Sequence, residues 1–287
     1  PVAYEWSVTN PAGCSSSLTT PTNANTSLNL VNNSNSVQTF TVSLTLTPLD
    51  PLTNQPLSSP SCAHTSTMNI QVYPQVTFTN PNTAILCSGN TLAINLTTNV
   101  TGTTFTWIAI DNTNVTGESL TLQNGATINN QLINITNVPQ TVIYNVTATP
   151  IGPCPSTTQQ ITVTVNPNVT VTDPPDQLIC AGSSTTLITF NSTVTNTTYI
   201  WTNTNTAIGL AASGTGATIP SFVTTNNTTS NISGTITVTP TANGCPGTPI
   251  SFTITVKPIP VISTVSNQSI CAGSSTTLIT FNSTVTN

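Results

Sequence analysis

Residues 177–196 read QLICAGSSTTLITFNSTVTN and residues 268–287 read QSICAGSSTTLITFNSTVTN, identical at 19 of 20 positions at a shift of 91. A period of this length marks tandem structural modules and is read before any local pattern. Weaker markers keep the same beat. A V-x-P punctuation recurs at Val72 to Pro74, Val165 to Pro167 and Val256 to Pro258, with prolines 93 and 91 apart, and aromatic-x-Trp pairs recur at Tyr4/Trp6, Phe105/Trp107 and Tyr199/Trp201. Cysteines fall into an early class, C-[SA]-G at Cys87, Cys180 and Cys271, and a late class at Cys62, Cys154 and Cys245. The chain is divided accordingly. Residues 1–74 form an incomplete module lacking its first strands, 75–167 and 168–260 form whole modules, and 261–287 supply the first strands of a further one.

Within each module the period is two. In QQITVTVNP, Ile161, Val163 and Val165 alternate with Thr162 and Thr164, and in ISFTITVKP, Phe252, Ile254 and Val256 do the same. Such alternation predicts half-buried strands. It returns in FTVSLTL (40–46), TLAINLT (91–97), VIYNVTA (142–148) and TITVTP (235–240), each bounded by Pro, Gly or Asn turn signals. No stretch carries a 3.6-residue period. Several short strands per ~90 residues, an early tryptophan and a bracketing cysteine pair predict an all-β chain of tandem immunoglobulin-like sandwiches. Trp6, Trp107 and Trp201 are expected on central strands, packed on the cores.

Composition excludes more than it assigns. One lysine, Lys257, no arginine and six acids make up 2% of 287 residues, where about 25% is usual. Thr, Ser and Asn together number 129. Nucleic-acid binding and polybasic membrane attachment both need cations that are absent, so neither partner is expected. Apolar runs stay far below the ~18 residues of a membrane helix, and membrane insertion is not expected. With a lone His64, read as a surface loop residue after Cys62, and a lone Lys257, read as a linker lysine, general acid–base chemistry has almost no groups to use. The chain is read as non-enzymatic and without a cofactor. Recurring cysteines point to an oxidising, extracellular compartment.

The succession C-[SA]-G, [YF]-x-W, late C-P and an alternating strand ending in V-x-P resembles the PKD-like and immunoglobulin-like repeats of very large surface proteins in gliding bacteria. The resemblance implies export by a type IX pathway and a role as adhesin or surface filament, with a target cell or surface glycans as the partner; copies of the chain are expected as partners too, bundled laterally because so little net charge holds them apart. Calcium linkers need clustered carboxylates, and only Asp173 and Asp176, in DPPD at a module boundary, come close. A stiff proline linker is the plainer reading of that segment.

Pairing each early cysteine with the next late one gives Cys87–Cys154 and Cys180–Cys245, closing spans of 67 and 65 positions. Loops of that length are worth roughly 4 kcal/mol in the chain-entropy account. Cys62, Cys271 and Cys14 remain. Joined end to end with a second copy, Cys271 would lie 22 positions before the next Trp6, against 21 from Cys180 to Trp201 and 20 from Cys87 to Trp107. The register survives the join, as in a longer continuous chain or in copies that exchange strands. Cys62 is therefore expected to pair with Cys271 of a neighbour, leaving Cys14 free or available for a lateral cross-link.

Three functions fit. A fibre shaft that spans distance and bears load is the first. A lectin-like binding module is the second, but its aromatics and acids would cluster in loops. Ice binding, suggested by the T-x-T pairs at Thr77/Thr79, Thr162/Thr164, Thr237/Thr239 and Thr253/Thr255, wants flat closely spaced ranks that a 91-residue beat does not supply. Fifteen N-x-[ST] sequons barely exceed the 11 or 12 expected by chance. Because Lys257 precedes Pro258, trypsin has no ready site in this chain. The native protein is expected to survive trypsin intact on a gel; rapid fragmentation would contradict this.

Overall fold

Threonine alternating with Val, Ile or Phe gives each long strand one apolar and one hydroxyl face, and the apolar faces must find each other. The computed structural model describes residues 1–57 and 62–285, so the last two positions of the 261–287 repeat lie outside the described residues. The first module holds β1 (Val2–Thr9), β2 (Cys14–Leu18), β3 (Leu28–Asn32), β4 (Gln38–Pro48) and β5 (His64–Val72). The second holds β6 (Thr83–Cys87), β7 (Ile94–Asn95), β8 (Thr104–Ile110), β9 (Val115–Thr116), β10 (Gln123–Asn124), β11 (Thr127–Ile128), β12 (Ile133–Asn134), β13 (Gln140–Thr149) and β14 (Thr157–Asn166). The third holds β15 (Gln177–Cys180), β16 (Ile188–Thr189), β17 (Thr198–Asn203), β18 (Ser213–Thr215), β19 (Thr218–Ile219), β20 (Ile232–Ala242), β21 (Cys245–Pro246) and β22 (Ile250–Lys257), with one 3-10 turn at Thr206–Ile208.

The main sheets run β1-β4-β5, β10-β8-β13-β14-β6 and β15-β22-β20-β17-β18. Short pairs β7/β11, β9/β12 and β16/β19 face the second and third sheets and close each sandwich. All pairings in the main sheets are antiparallel except two: β6 runs parallel to β14, and β15 parallel to β22. Each whole module thus begins on a strand lying alongside, and pointing the same way as, its last strand. The fold is an all-β, immunoglobulin-like sandwich repeated along the chain.

Burial follows the alternation. Val142, Tyr144, Val146 and Ala148 on β13 and Ile161, Val163 and Val165 on β14 are fully buried, as are Ile236, Val238, Ile254 and Val256 in the third module. Each large apolar side chain so buried contributes about 1.5–3 kcal/mol. Trp107 on β8 packs edge-on against Tyr144, with ring centroids 5.8 Å apart, and Trp201 on β17 lies over Gly214, where a Cβ would come within 2.3 Å of the indole. Trp107 and Trp201 sit inside their sheets, as their spacing predicts. Trp6 departs from that expectation: β1 is an edge strand, and the indole is half-buried, donating its N–H to the Asn23 carbonyl at 2.9 Å. Two local expectations also shift. The 91–97 alternation forms only the two-residue β7, because its pairing with β11 breaks after Asn95. His64 is the first residue of β5, exposed and opposite Leu46, not a loop residue.

A polar corner recurs three times. Asn134 donates its Nδ2 to the Val138 and Val165 carbonyls at 2.8 Å each, while its Oδ1 accepts from the Thr136 N–H and hydroxyl, both at 2.8 Å. Asn226 does the same with Ser230, Val256 and Thr228, and Asn32 with Ser36, Val72 and Ser34. The side chain pins the loop before the penultimate long strand to the end of the last one. Its geometry requires a hydroxyl two residues on, so each corner is an N-x-[ST] triplet and accounts for three sequons without any sugar. Replacing Asn134 or Asn226 by alanine orphans buried carbonyls at about 1–3 kcal/mol apiece. Denaturant unfolding of the full chain should show the affected module weakened by about 2–4 kcal/mol, and a loss below 0.5 kcal/mol would contradict the corner's role.

Candidate functional site: the module junction

Parallel pairing fixes where each early cysteine lies. Cys87 ends β6 opposite Asn166, the middle residue of the second V-x-P, so it reaches the same end of the sandwich as the departing chain. The late cysteine sits at the other end of its module. The β20–β21 turn uses left-handed Asn243 (φ 51°) and Gly244 (φ 76°), conformations that Asn and Gly tolerate, and returns Cys245 opposite Ala242. The two ends meet across the linker. Cys87 is disulfide-bonded to Cys245, with Cα atoms 5.6 Å apart and a separation of 158 positions in sequence.

This corrects the within-module pairing. Cys87–Cys154 and Cys180–Cys245 do not form; Cys154, Cys180, Cys62, Cys271 and Cys14 are unbonded in this chain. The physical reason is axial. With the first strand parallel to the last, the early and late cysteines of one sandwich stand at opposite ends, a full strand length apart, whereas a disulfide needs Cα atoms within about 7 Å. Sequence spacing alone could not distinguish the two, because it gives the intervals between cysteines and not which end of a sandwich each one occupies.

Other contacts close the same junction. Asn166 Nδ2 donates to the Asn243 carbonyl at 3.0 Å and Thr248 N–H to the Val169 carbonyl at 3.3 Å. Val169 is buried with Val194 and Ala242 in a small apolar plug. Gly247 passes so close that a Cβ would stand 2.0 Å from the Val169 carbonyl oxygen. The first junction is built alike: the Tyr73 ring covers Gly152, where a Cβ would fall 2.4 Å from the ring, and Asn99 Nδ2 donates to Gln75 O at 3.1 Å and Asn35 Oδ1 at 3.3 Å. Cys154, two residues after Gly152, lines a cleft with Tyr73, Gln75 and Val76. Cys180 stands at the far end of the third module beside Lys257, Pro258 and Pro260.

The two carboxylates weighed for calcium do not converge with other ligands; among the described residues no three His, Cys, Asp or Glu side chains cluster. Asp176 instead accepts the Thr253 N–H at 2.6 Å, which holds its carboxyl below the usual range and extends the β15 side of β22 by one residue. Burial, reinforced by the charge of Glu118, pushes the Tyr144 hydroxyl up, so it stays protonated and hydrogen-bonds Asn130 Oδ1 at 3.1 Å. Neither group is arranged for proton transfer to a ligand. Cys14, on β2, contacts Asn32 Oδ1 at 3.6 Å and so abuts the first polar corner.

Residues 84–169 match the family model of the PKD-like domain. The matched stretch is the second module from β6 through the linker valine Val169. No curated protein matches the chain. Among solved structures, the chain is similar to the I-band fragment I67-I69 from titin (7% identity, TM-score 0.34, covering 90% of this chain and 88% of that one). It is similar also to mouse cadherin-23 EC22-24 (11%, 0.33, 90% and 86%) and to three N-terminal domains of the bacteriophage RB49 highly immunogenic outer capsid protein (9%, 0.39, 90% and 88%). PKD-like and immunoglobulin-like sandwiches are commonly non-catalytic extracellular modules, and an inter-module disulfide suits an oxidising compartment.

Gly247→Ala tests the junction directly. The added methyl must push the β21–β22 loop off the linker, at about 1–3 kcal/mol. With a mild reductant present, alkylation under native conditions should label Cys87 and Cys245 faster than in the wild type; unchanged protection would contradict the close approach.

Proposed function

We propose that this chain is a structural segment of an extracellular fibre, the repetitive shaft of a bacterial surface adhesin or filament that spans distance and bears load. The observation that carries the reading is the Cys87–Cys245 bond, which ties two successive sandwiches across their linker instead of stapling one sandwich internally. A binding module gains little from that arrangement. A shaft gains stiffness, because the linker can neither bend freely nor pass its tension to the strands between the two cysteines. Near-absence of charge fits the same role: there is little ionic interaction for salt to screen and little net charge to hold neighbouring shafts apart. Copies of the chain are its partners, end to end and side by side, with export by a type IX pathway and attachment at the cell surface following from the resemblance of the repeats.

Stretching single chains of these 287 residues by their ends tests the reading. Oxidised, the 158 residues bridged by the disulfide contribute nothing to the extension. Adding a reductant should release about 500 Å of further length, at about 3.3–3.6 Å per residue. An oxidised chain that already yields that length would overturn the proposal.

A further inference from the structure

The outer face of the second module's five-stranded sheet differs from its counterparts at three neighbouring places. Side chains alternate along a strand. With Phe105, Trp107 and Ala109 on β8 and Val142, Tyr144 and Val146 on β13 buried, Ile108, Ile110 and Ile143 point outward. Ile143 lies directly opposite Ile110, and Asn145 opposite Ile108. The tryptophans align the modules: Trp107 faces Val146, Trp201 faces Val238 and Trp6 faces Leu44. Counted from them, the places of Ile108, Ile110 and Ile143 hold Thr202, Thr204 and Thr235 in the third module and Ser7, Thr9 and Thr41 in the first. A hydroxyl that water solvates is thus exchanged three times for a branched alkyl group, all in one patch, with Ile110 46% accessible. Ile85 on β6, opposite Thr164, carries the apolar surface across the sheet, and Leu120 and Leu122 stand exposed on the segment that leads into β10.

Single exposed aliphatic side chains need no explanation, whereas a contiguous apolar patch marks a site of association. We propose that the outer face of β8, β13, β14 and β6 is the contact through which copies associate laterally, the second module of one copy stacking on the second module of another about a two-fold axis. This rests on the side-by-side association proposed above and assigns it a surface.

A second copy is the occupant this face fits. Every outward side chain of the four strands is Thr, Ile, Asn, Gln or the disulfide-bonded Cys87. A partner bearing charge would bury it there without a counter-ion, whereas a copy brings the same neutral rows. Its rows also match in spacing, about 4.8 Å between strands and about 7 Å between outward residues along one, so methyl and hydroxyl ridges interdigitate as they do where two sheets pack inside a sandwich. The extent is sufficient. Strands of 7, 10, 10 and 5 residues present roughly 500 Å² of flat sheet at about 3.4 Å per residue. Side-chain relief raises the accessible area toward the roughly 800 Å² per partner of a standard stable interface. Hydroxyl pairing agrees. The first and third modules tie outer hydroxyls to one another, as Thr45 with Thr65 and Thr237 with Ser251. Between the four strands of the second, Gln160 to Asn145 at 3.0 Å is the one side-chain pair among the described residues. The hydroxyls of Thr141, Thr147, Thr158 and Thr164 are left to bond across the contact.

Sedimentation of the 287-residue chain over a concentration series, after alkylation of its free thiols, should show a reversible dimer that added salt leaves intact. The Ile108→Thr/Ile110→Thr/Ile143→Thr variant carries the residues that the third module has at these places. It should keep its cooperative unfolding and associate at least ten-fold more weakly. Ile200→Thr, the same exchange on the third module's outer face, should leave dimerisation unchanged. Hydroxyl-radical footprinting of the unaltered chain is a readout independent of whether the variant folds: Ile108, Ile110 and Ile143 should lose labelling several-fold between dilute and associated protein. A dimer that survives the triple substitution, protection confined to the first or third module, or a chain that stays monomeric at every concentration overturns the proposal. A monomer that floats with phosphatidylcholine vesicles overturns it too and gives the face to lipid. Monomers whose Cys87–Cys245 bond still shields its residues from stretching sink this contact and leave the shaft reading intact; unshielded extension sinks the shaft.

Discussion

The arrangement rests on one pairing, that of a module's first strand with its last, in parallel. β6 on β14 and β15 on β22 send the chain in at one end of each sandwich and out at the other. Parallel pairing has two consequences. Successive sandwiches can only be concatenated, and an early cysteine is delivered to the exit, where the next module's late cysteine waits. The polar corner then fixes the exit: Asn134 and Asn226 hold the last strand-end carbonyls, Val165 and Val256, so the residue that follows leaves in a fixed direction. A disulfide at that point ties the linker on both sides.

Cross-links of this kind change what tension can do. When every junction is bridged as Cys87–Cys245 is, the shortest covalent route crosses one module by a disulfide and the next by the stretch from a late cysteine to an early one. Cys154 to Cys180 is such a stretch, 26 residues long. Pulled straight it measures about 90 Å, close to the length of two folded sandwiches of about 40 Å each, judged from ten-residue strands at about 3.4 Å per residue plus their linkers. On the shaft reading proposed above, such a fibre would have almost no slack to give, and most of each sandwich would lie off the path that carries the load. Without charges, the outer faces are held by hydroxyl pairs across strands, Thr45 with Thr65, Thr237 with Ser251 and Ser233 with Thr255, all at 2.8–2.9 Å.

Much of this was legible in the residues. Strict alternation located β4, β13, β14, β20 and β22, because a half-buried strand writes its burial directly into the sequence. It overstated 91–97, where Leu92 and Leu96 are buried by the sandwich without a continuous ladder. The tryptophans inside β8 and β17 were found by the repeat, and Trp6 was misplaced because its sheet lacks the outer strand that β10 and β18 provide elsewhere. Disulfide partners were the clearest failure: spacing gives the interval between cysteines but not which end of a sandwich each occupies. The corner asparagines passed as ordinary sequons, although Asn32, Asn134 and Asn226 each precede the long strand before V-x-P, and that shared phase was the available signal.

Non-reducing proteolysis followed by mass spectrometry of the Cys87 peptide tests the central claim most directly. The account predicts that Cys87 is joined to Cys245, in the next sandwich. A bond from Cys87 to Cys154, within one sandwich, would contradict it and leave the linker without its cross-link.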